Sequence, residues 1–192
     1  RSHLFVNYEL DLNLEKYERS DLFIKVEQVS NDTYLGVFEP HITKSQARPR
    51  SFNVMENTAR IELTHENYSF SSGFHSYENL KTSKSSDRYQ YILPYYGFDT
   101  VLGEKYLNGS LSFSSSGSNS LNNTNQLKTN ITNNLNYTSG GNVNKFGIKN
   151  EYNLYFNNSN SIGKKSEYKS SPQIELESLL EFNSTLPLIN KQ

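Results

Sequence analysis

The sequence predicts an all-β protein, an antiparallel meander of about ten long strands that forms an arc of a transmembrane β-barrel. Three observations lead to this prediction. Apolar and polar residues alternate through most of the chain. The mean hydropathy, -0.74, is low, yet 14 Tyr and 11 Phe occur among 192 residues. A wall between lipid and a water-filled lumen needs regular apolar stripes but little core, so it suits such a polar, aromatic chain.

Alternation with a period of two is the main structural signal. Leu4, Val6 and Tyr8 share one face of a predicted strand, and the residues between them lie on the other face. The same pattern covers residues 4–14, 22–27, 59–64, 68–74, 107–113, 127–137, 146–156 and 174–182. Polar residues interrupt the apolar set at Thr129, Asn133, Asn150 and Ser178. Asn in contact with hydrocarbon is unfavourable, so these positions are the weakest part of the prediction.

Polar and turn-forming stretches separate the predicted strands. Residues 139–142 read Ser-Gly-Gly-Asn and predict a tight hairpin turn, because Gly accepts a positive φ at little cost. The Ser- and Asn-rich residues 114–123 and 157–165 predict longer loops, and residues 40–49 show no period. No segment of the chain predicts a helix.

Composition and motifs exclude several classes of function. A net charge of -1 gives no electrostatic reason to expect nucleic acid as a partner. The absence of Cys excludes disulfides and thiolate metal sites within this span. No phosphate-binding loop, dinucleotide motif or nucleophile elbow occurs, so we predict no cofactor and no enzymatic activity. His65 and His75 lie on neighbouring predicted strands without supporting ligands, so we predict no metal site.

The start of the chain predicts that it is an excerpt from a longer protein. Its first residue is Arg1 and its first Met is Met55. The first residues contain no apolar core of a signal peptide. We therefore interpret residues 1–192 as one partial barrel domain, and we expect that it does not fold alone, because missing strands would leave both edges unpaired.

Several short motifs follow one another in a recognisable order. Residues 29–35 read Val-Ser-Asn-Asp-Thr-Tyr-Leu and include Asp32, Thr33, Tyr34 and Leu35. Residues 87–96 begin Asp-Arg-Tyr and include Asp87, Arg88, Tyr89, Leu93 and Pro94. Between and after them come Tyr-Glu-Asn-Leu at 77–80 and Thr-Leu-Pro-Leu at 185–188. This ordered set resembles the middle of the barrel of the LptD family, the lipopolysaccharide-assembly proteins of the Gram-negative outer membrane, over most of the chain.

The resemblance implies transport and insertion of lipopolysaccharide. In that family, lipopolysaccharide arrives over a periplasmic bridge of Lpt proteins and leaves laterally to the outer leaflet. A plug lipoprotein of the LptE type sits inside the barrel in many members. A middle section is expected to supply wall and lumen, not the lateral gate between the first and last strands. The expected location is the bacterial outer membrane.

Charged residues on the polar strand faces are candidates for the lumen. Lys25, Lys128 and Lys149 would point inward and meet the phosphates of passing lipid A. Glu175 and Glu177 belong to a row that we interpret as solvated and not as an acid–base pair. Two alternatives stay open: another outer-membrane barrel, either a porin or a receptor, and a secreted β-rich adhesin module that is stable in water.

Overall fold

A computed structural model describes residues 2–46, 48–82, 88–102, 108–122, 126–165 and 171–186. They form one short helix and one open antiparallel sheet, in which the long strands lie side by side in the order in which they follow along the chain. The strands are β1 (His3–Asp11), β2 (Arg19–Val29), β3 (Val54–His65), β4 (Tyr68–Asn79), β5 (Tyr89–Leu102), β6 (Gly109–Asn122), β7 (Gln126–Ser139), β8 (Asn142–Val143), β9 (Lys149–Lys165) and β10 (Ser171–Thr185). The helix is α1 (Tyr34–Ile42). The predicted all-β meander of ten strands is confirmed.

The strands are long and closely paired. Apart from the two-residue β8, those from β3 onward have 12 to 17 residues. β7 pairs with β9, while β8 adds a short pairing to the start of β9. The tight hairpin predicted at residues 139–142 is therefore part of a longer connection between β7 and β9. Gly141 has a φ of +67° there, which agrees with the predicted need for glycine.

Two predicted loops are wrong. Residues 114–122 continue β6, and residues 157–165 form the second half of β9. Small polar residues have low intrinsic strand propensity, but β6 and β9 are interior strands whose backbone groups are paired on both sides. Tertiary pairing outweighs intrinsic propensity in this situation. The Ser and Asn side chains also find partners across strands, as described below.

The prediction of no helix is also wrong. α1 follows β2 and places Tyr34, Leu35 and Ile42 in the core, although Pro40 lies within it. Helices of this length are marginal on their own, and packing of an apolar face stabilises them. The core that the described residues form contains these three side chains together with Met55 and Leu80. We call the end of the sheet where β2 ends and β3 begins the helix end.

The motif pair Leu93 and Pro94 lies at an irregularity in β5. The pairing register shifts between Ile92 and Tyr95 on the β6 side and at the facing Gly73 to His75 on the β4 side. Proline has no amide hydrogen to give to a neighbouring strand, so a bulge is one of its few favourable places within a sheet.

Candidate functional site

Cross-strand pairing assigns every long strand a polar face and an apolar face. Residues directly opposite each other in an antiparallel pair point to the same side of the sheet. One continuous row of paired residues crosses eight strands: Phe23, Arg60, Gly73, Tyr95, Ser118, Asn130, Ser161 and Gln173. We call the side that carries this row the polar face, and it is the candidate functional surface.

All five predicted lumen residues lie on the polar face. Lys25 is two residues from Phe23, Lys128 is two from Asn130, and Glu175 and Glu177 follow Gln173 at intervals of two. Lys149 reaches the same face along β9, because its pairing with β10 continues without a shift. The alternation in the sequence therefore places these side chains on one surface, but it does not say what they contact.

Lys25 is held in a partly buried ion cluster. Its Nζ donates to Glu56 Oε2 at 2.7 Å and lies 2.9 Å from Glu27 Oε1. The Glu27 side chain is only 3% exposed, and its Oε2 accepts the backbone amide of Glu56 at 2.8 Å. A buried carboxylate needs such partners because desolvation is costly. Lys25 thus offsets part of the negative charge of Glu27 and Glu56, and its binding to both carboxylates leaves it poorly placed to meet a passing phosphate.

An aromatic stack extends this charged region across β4 and β5. His75 Nδ1 lies 2.5 Å from Thr58 Oγ1 and 4.0 Å from Glu56 Oε1. The His75 ring stacks on Tyr95 with centroids 5.0 Å apart and planes within 8°. The polar face is therefore charged and ordered by ion pairs over β2 to β4. Sequence reasoning missed Glu27 and Glu56, whose only signal was their place on the polar side of predicted strands.

The remaining lumen candidates differ in their surroundings. Lys149 Nζ lies 2.5 Å from Glu151 Oε1, and half of its side chain is exposed. Lys128 is exposed and faces Ser120 and Gly163 in the register. Glu175 and Glu177 are exposed on β10, opposite Ser159 and Asn157. The structure does not gather the three lysines into one site.

Polar residues on the apolar face are tied to one another. Asn133 accepts from Ser115 Oγ at 2.8 Å and donates to Asn158 Oδ1 at 3.3 Å. Tyr96 Oη adds a 3.2 Å contact to Ser115.

Two further hydrogen-bonded pairs lie on the apolar face, Thr129 with Asn119 at 2.7 Å and Ser184 with Asn150 at 3.0 Å. Three of the four interruptions noted in the sequence are thus hydrogen-bonded across strands, which lowers the penalty of placing them on an apolar surface. The fourth, Ser178, is exposed opposite Phe156.

Arg88 joins the two main sequence motifs at the helix end. Its side chain is 2% exposed, and its guanidinium binds Asp32 through two hydrogen bonds, Nη1 to Oδ2 at 2.9 Å and Nη2 to Oδ1 at 2.6 Å. It also donates from Nε to Glu78 Oε1 at 2.8 Å and from Nη1 to the Thr82 carbonyl at 3.2 Å. A planar guanidinium suits such two-point binding of a carboxylate. We call Asp32, Glu78 and Arg88 the Arg88 clamp.

The electrostatics of the clamp keep Arg88 charged. Its hydrogen bonds to Asp32 raise the pKa of the guanidinium above its ordinary value, burial opposes this, and Glu78 adds to the rise. Tyr89 donates to Glu78 Oε1 at 3.1 Å, so a second motif residue supports the clamp. Glu78 was not singled out from the sequence, although it stands in the Tyr-Glu-Asn-Leu motif.

The other motif residues have structural positions. Thr33 precedes α1, and its backbone amide and hydroxyl both donate to Asn31 Oδ1 at 2.9 Å. Tyr34 contacts His3 through its hydroxyl at 2.8 Å, while Leu35 is fully buried. Asp87 lies outside the described residues. Tyr34 and Leu35 therefore hold α1 against the sheet.

Comparison of the chain with protein-family models, with curated proteins and with solved structures finds no match. Over the described part of the chain, no three His, Asp or Glu side chains are grouped to hold a metal ion. No helix in that part has the length and hydropathy required to cross a membrane.

Proposed function

We propose that this chain is part of the wall of an outer-membrane β-barrel that inserts lipopolysaccharide into the outer leaflet, with no enzymatic chemistry of its own. The observation that carries the proposal is the separation of a polar and an apolar face across nine strands paired in chain order. A barrel wall needs this pattern because one face meets lipid and the other meets a water-filled lumen.

The exposure of the apolar face supports a lipid environment. Its side chains include Ile174, 76% exposed, Leu180, 71% exposed, and Phe182, 57% exposed. The only helix in the described residues lies at one end of the sheet, so it cannot cover this surface. Large apolar side chains exposed together on one face mark a contact with membrane or protein. Lipid covers it in the proposed barrel.

The lipopolysaccharide part of the proposal rests on the ordered motifs. Two of them, at residues 29–35 and 87–96, are joined by the ion pair of Asp32 with Arg88, so they belong to one structural unit. The proposed partners of the full-length protein are lipopolysaccharide, a plug lipoprotein of the LptE type and the periplasmic Lpt bridge. The proposed location is the bacterial outer membrane.

A labelling experiment tests the barrel. Residues 1–192 contain no Cys, so each substitution adds one thiol to this span, and the unsubstituted full-length protein gives the background labelling. Asn130 lies on the polar face and its neighbour Ile131 on the apolar face of β7. In the full-length protein in membrane vesicles made permeable to the reagent, Asn130→Cys should react with a water-soluble maleimide. Ile131→Cys should be protected and should instead report contact with a lipid-borne spin label. Equal reaction of both with the maleimide would contradict the barrel.

A depletion experiment tests the transported substance. Lowering the amount of the full-length protein in its host should reduce lipopolysaccharide at the cell surface. Unchanged surface lipopolysaccharide together with lower uptake of small solutes would favour a porin or receptor. Folding of the purified chain without detergent would favour the adhesin.

A further inference from the structure

A shallow cleft opens on the polar face between β6 and β10. Its volume is about 300 Å³, and its polar lining comprises Ser114, Asn134, Asn136, Tyr155, Asn157 and Glu177. This volume is at the lower end of the range for ligand pockets. The cleft lies apart from the ion cluster of Lys25 and from the Arg88 clamp, so neither of those features explains it.

The cleft offers hydrogen-bonding groups that the protein does not use. Asn134 donates from Nδ2 to Ser114 Oγ at 3.2 Å. In the part of the chain that the structure describes, the side-chain amides of Asn136 and Asn157 form no hydrogen bond. Asn133 and Asn158, on the opposite face, are by contrast bonded to each other. Each free amide presents two donors and an acceptor to an incoming group.

The charge of the cleft limits the chemical classes of ligand that it can bind. Glu177 is the one charged side chain in the described lining. A phosphate would meet a carboxylate there without any cation, which is unfavourable. A hydroxyl group can both accept from an amide N–H and donate to an amide or carboxylate oxygen. Tyr155, 37% exposed, adds an aromatic surface beside these groups.

We infer that this cleft binds an uncharged saccharide unit, with Tyr155 against its apolar ring face and Asn136, Asn157 and Glu177 bound to its hydroxyls. The inference rests on the proposed function in one respect, because the polar face must line a water-filled lumen for a saccharide to reach it. It does not depend on whether the saccharide is free or linked to lipid.

The test measures saccharide binding to the full-length protein in detergent micelles. The probe is the oligosaccharide released from lipopolysaccharide by mild acid and then dephosphorylated, and saturation-transfer NMR reports its contact with the protein. Wild type should bind it. Tyr155→Ala should weaken binding by up to about tenfold, and Tyr155→Phe should retain it. Intact lipopolysaccharide and inorganic phosphate are tested as competitors.

Matched variants separate the cleft from the rest of the sheet. Tyr152 lies on the same strand but on the apolar face, where its ring packs on Phe182 at 5.2 Å. Tyr152→Ala should therefore leave binding unchanged. Asn136→Leu provides a second variant of the cleft at an exposed position, should Tyr155→Ala fail to fold.

Each outcome decides the inference. Competition by intact lipopolysaccharide but not by phosphate supports it and extends it to a lipid-linked saccharide. Competition by neither supports it for a free saccharide. Absence of binding to wild type, binding unaffected by both cleft variants, or displacement by phosphate would overturn it. If Asn130→Cys and Ile131→Cys still label as expected, the barrel proposal survives that failure.

Discussion

Asp32 and Arg88, 56 residues apart in the chain, form a two-point ion pair at the helix end of the sheet. Asp32 lies just before α1 and Arg88 just before β5. Glu78 at the end of β4 binds the same guanidinium, so three segments meet at one cation. The clamp fixes the connection that carries α1, which otherwise depends on a small apolar core.

Removing the cation should destabilise the helix end. Arg88→Met removes the cation that Asp32 and Glu78 share, although Glu78 keeps the hydrogen bond from Tyr89. Loss of one member of a buried pair costs about 3–5 kcal/mol, and the partial exposure of both carboxylates lowers this to about 2 kcal/mol. Urea unfolding of the full-length protein in micelles measures the change. Arg50→Met removes the same charge from an exposed position and should have little effect. Equal unfolding midpoints for the two variants would contradict the clamp.

The core beneath α1 should be sensitive to truncation. Leu35 is 0% exposed, and Leu35→Ala is expected to cost about 2–5 kcal/mol because a cavity remains. Val37 is two residues away on the same helix and 58% exposed. Val37→Ala should therefore change the free energy of unfolding by less than about 0.5 kcal/mol. Limited proteolysis within residues 30–46 measures the release of α1, and similar cleavage rates for both variants would argue against this packing.

Gly73 should be intolerant of a side chain. A Cβ at this position would meet the carbonyl oxygen of Ala59 and lie 2.9 Å from Arg60 Cα on β3. Gly73→Ala must therefore push two paired backbones apart, at a cost of about 1–3 kcal/mol. A Cβ added at Gly163 on β9 would meet no atom within 4 Å, so Gly163→Ala is the control. The measurement is the midpoint temperature of thermal unfolding followed by circular dichroism, and it should fall for Gly73→Ala alone.

The hydrogen-bonded residues on the apolar face allow a test of whether that face meets lipid, as proposed. Asn133→Leu removes their central member and leaves Ser115 and Asn158 without that partner. Ser115 keeps its contact with Tyr96 Oη and Asn158 Oδ1 keeps its hydrogen bond from Asn160, so the change loses two hydrogen bonds, about 0.5–1.5 kcal/mol each, without leaving a group unsatisfied. If the apolar face meets lipid, as proposed, the leucine recovers about 1.5–3 kcal/mol by leaving water, and the free energy of unfolding changes by less than about 1 kcal/mol. Asn130→Leu, on the polar face of the same strand, should gain nothing from lipid. Unfolding in liposomes compares the two. Destabilisation of Asn133→Leu by about 1–3 kcal/mol, the loss of the hydrogen bonds with no gain from the leucine, would show that this part of the face meets water.

Local alternation was enough to predict the meander and its faces. Leu10 and Leu22 are direct partners, and Ile131 shares their face through the register, as the period of two requires. Alternation also placed Lys25 and Glu175 on one face. A strand's side chains must alternate whatever its neighbours are, so this information is present in each segment alone.

Only the tertiary structure decided which polar residues become buried, paired or free. Residues 157–165 resembled a loop because their strand propensity is low, and two neighbouring strands were needed to satisfy their backbone. α1 had no helical pattern strong enough to be predicted, and it forms where the core and the Arg88 clamp hold it. Lys25 is bound to Glu56, 31 residues away, and Arg88 to Asp32, 56 residues away. Such contacts depend on register and chain path, which the pattern within a single segment does not contain.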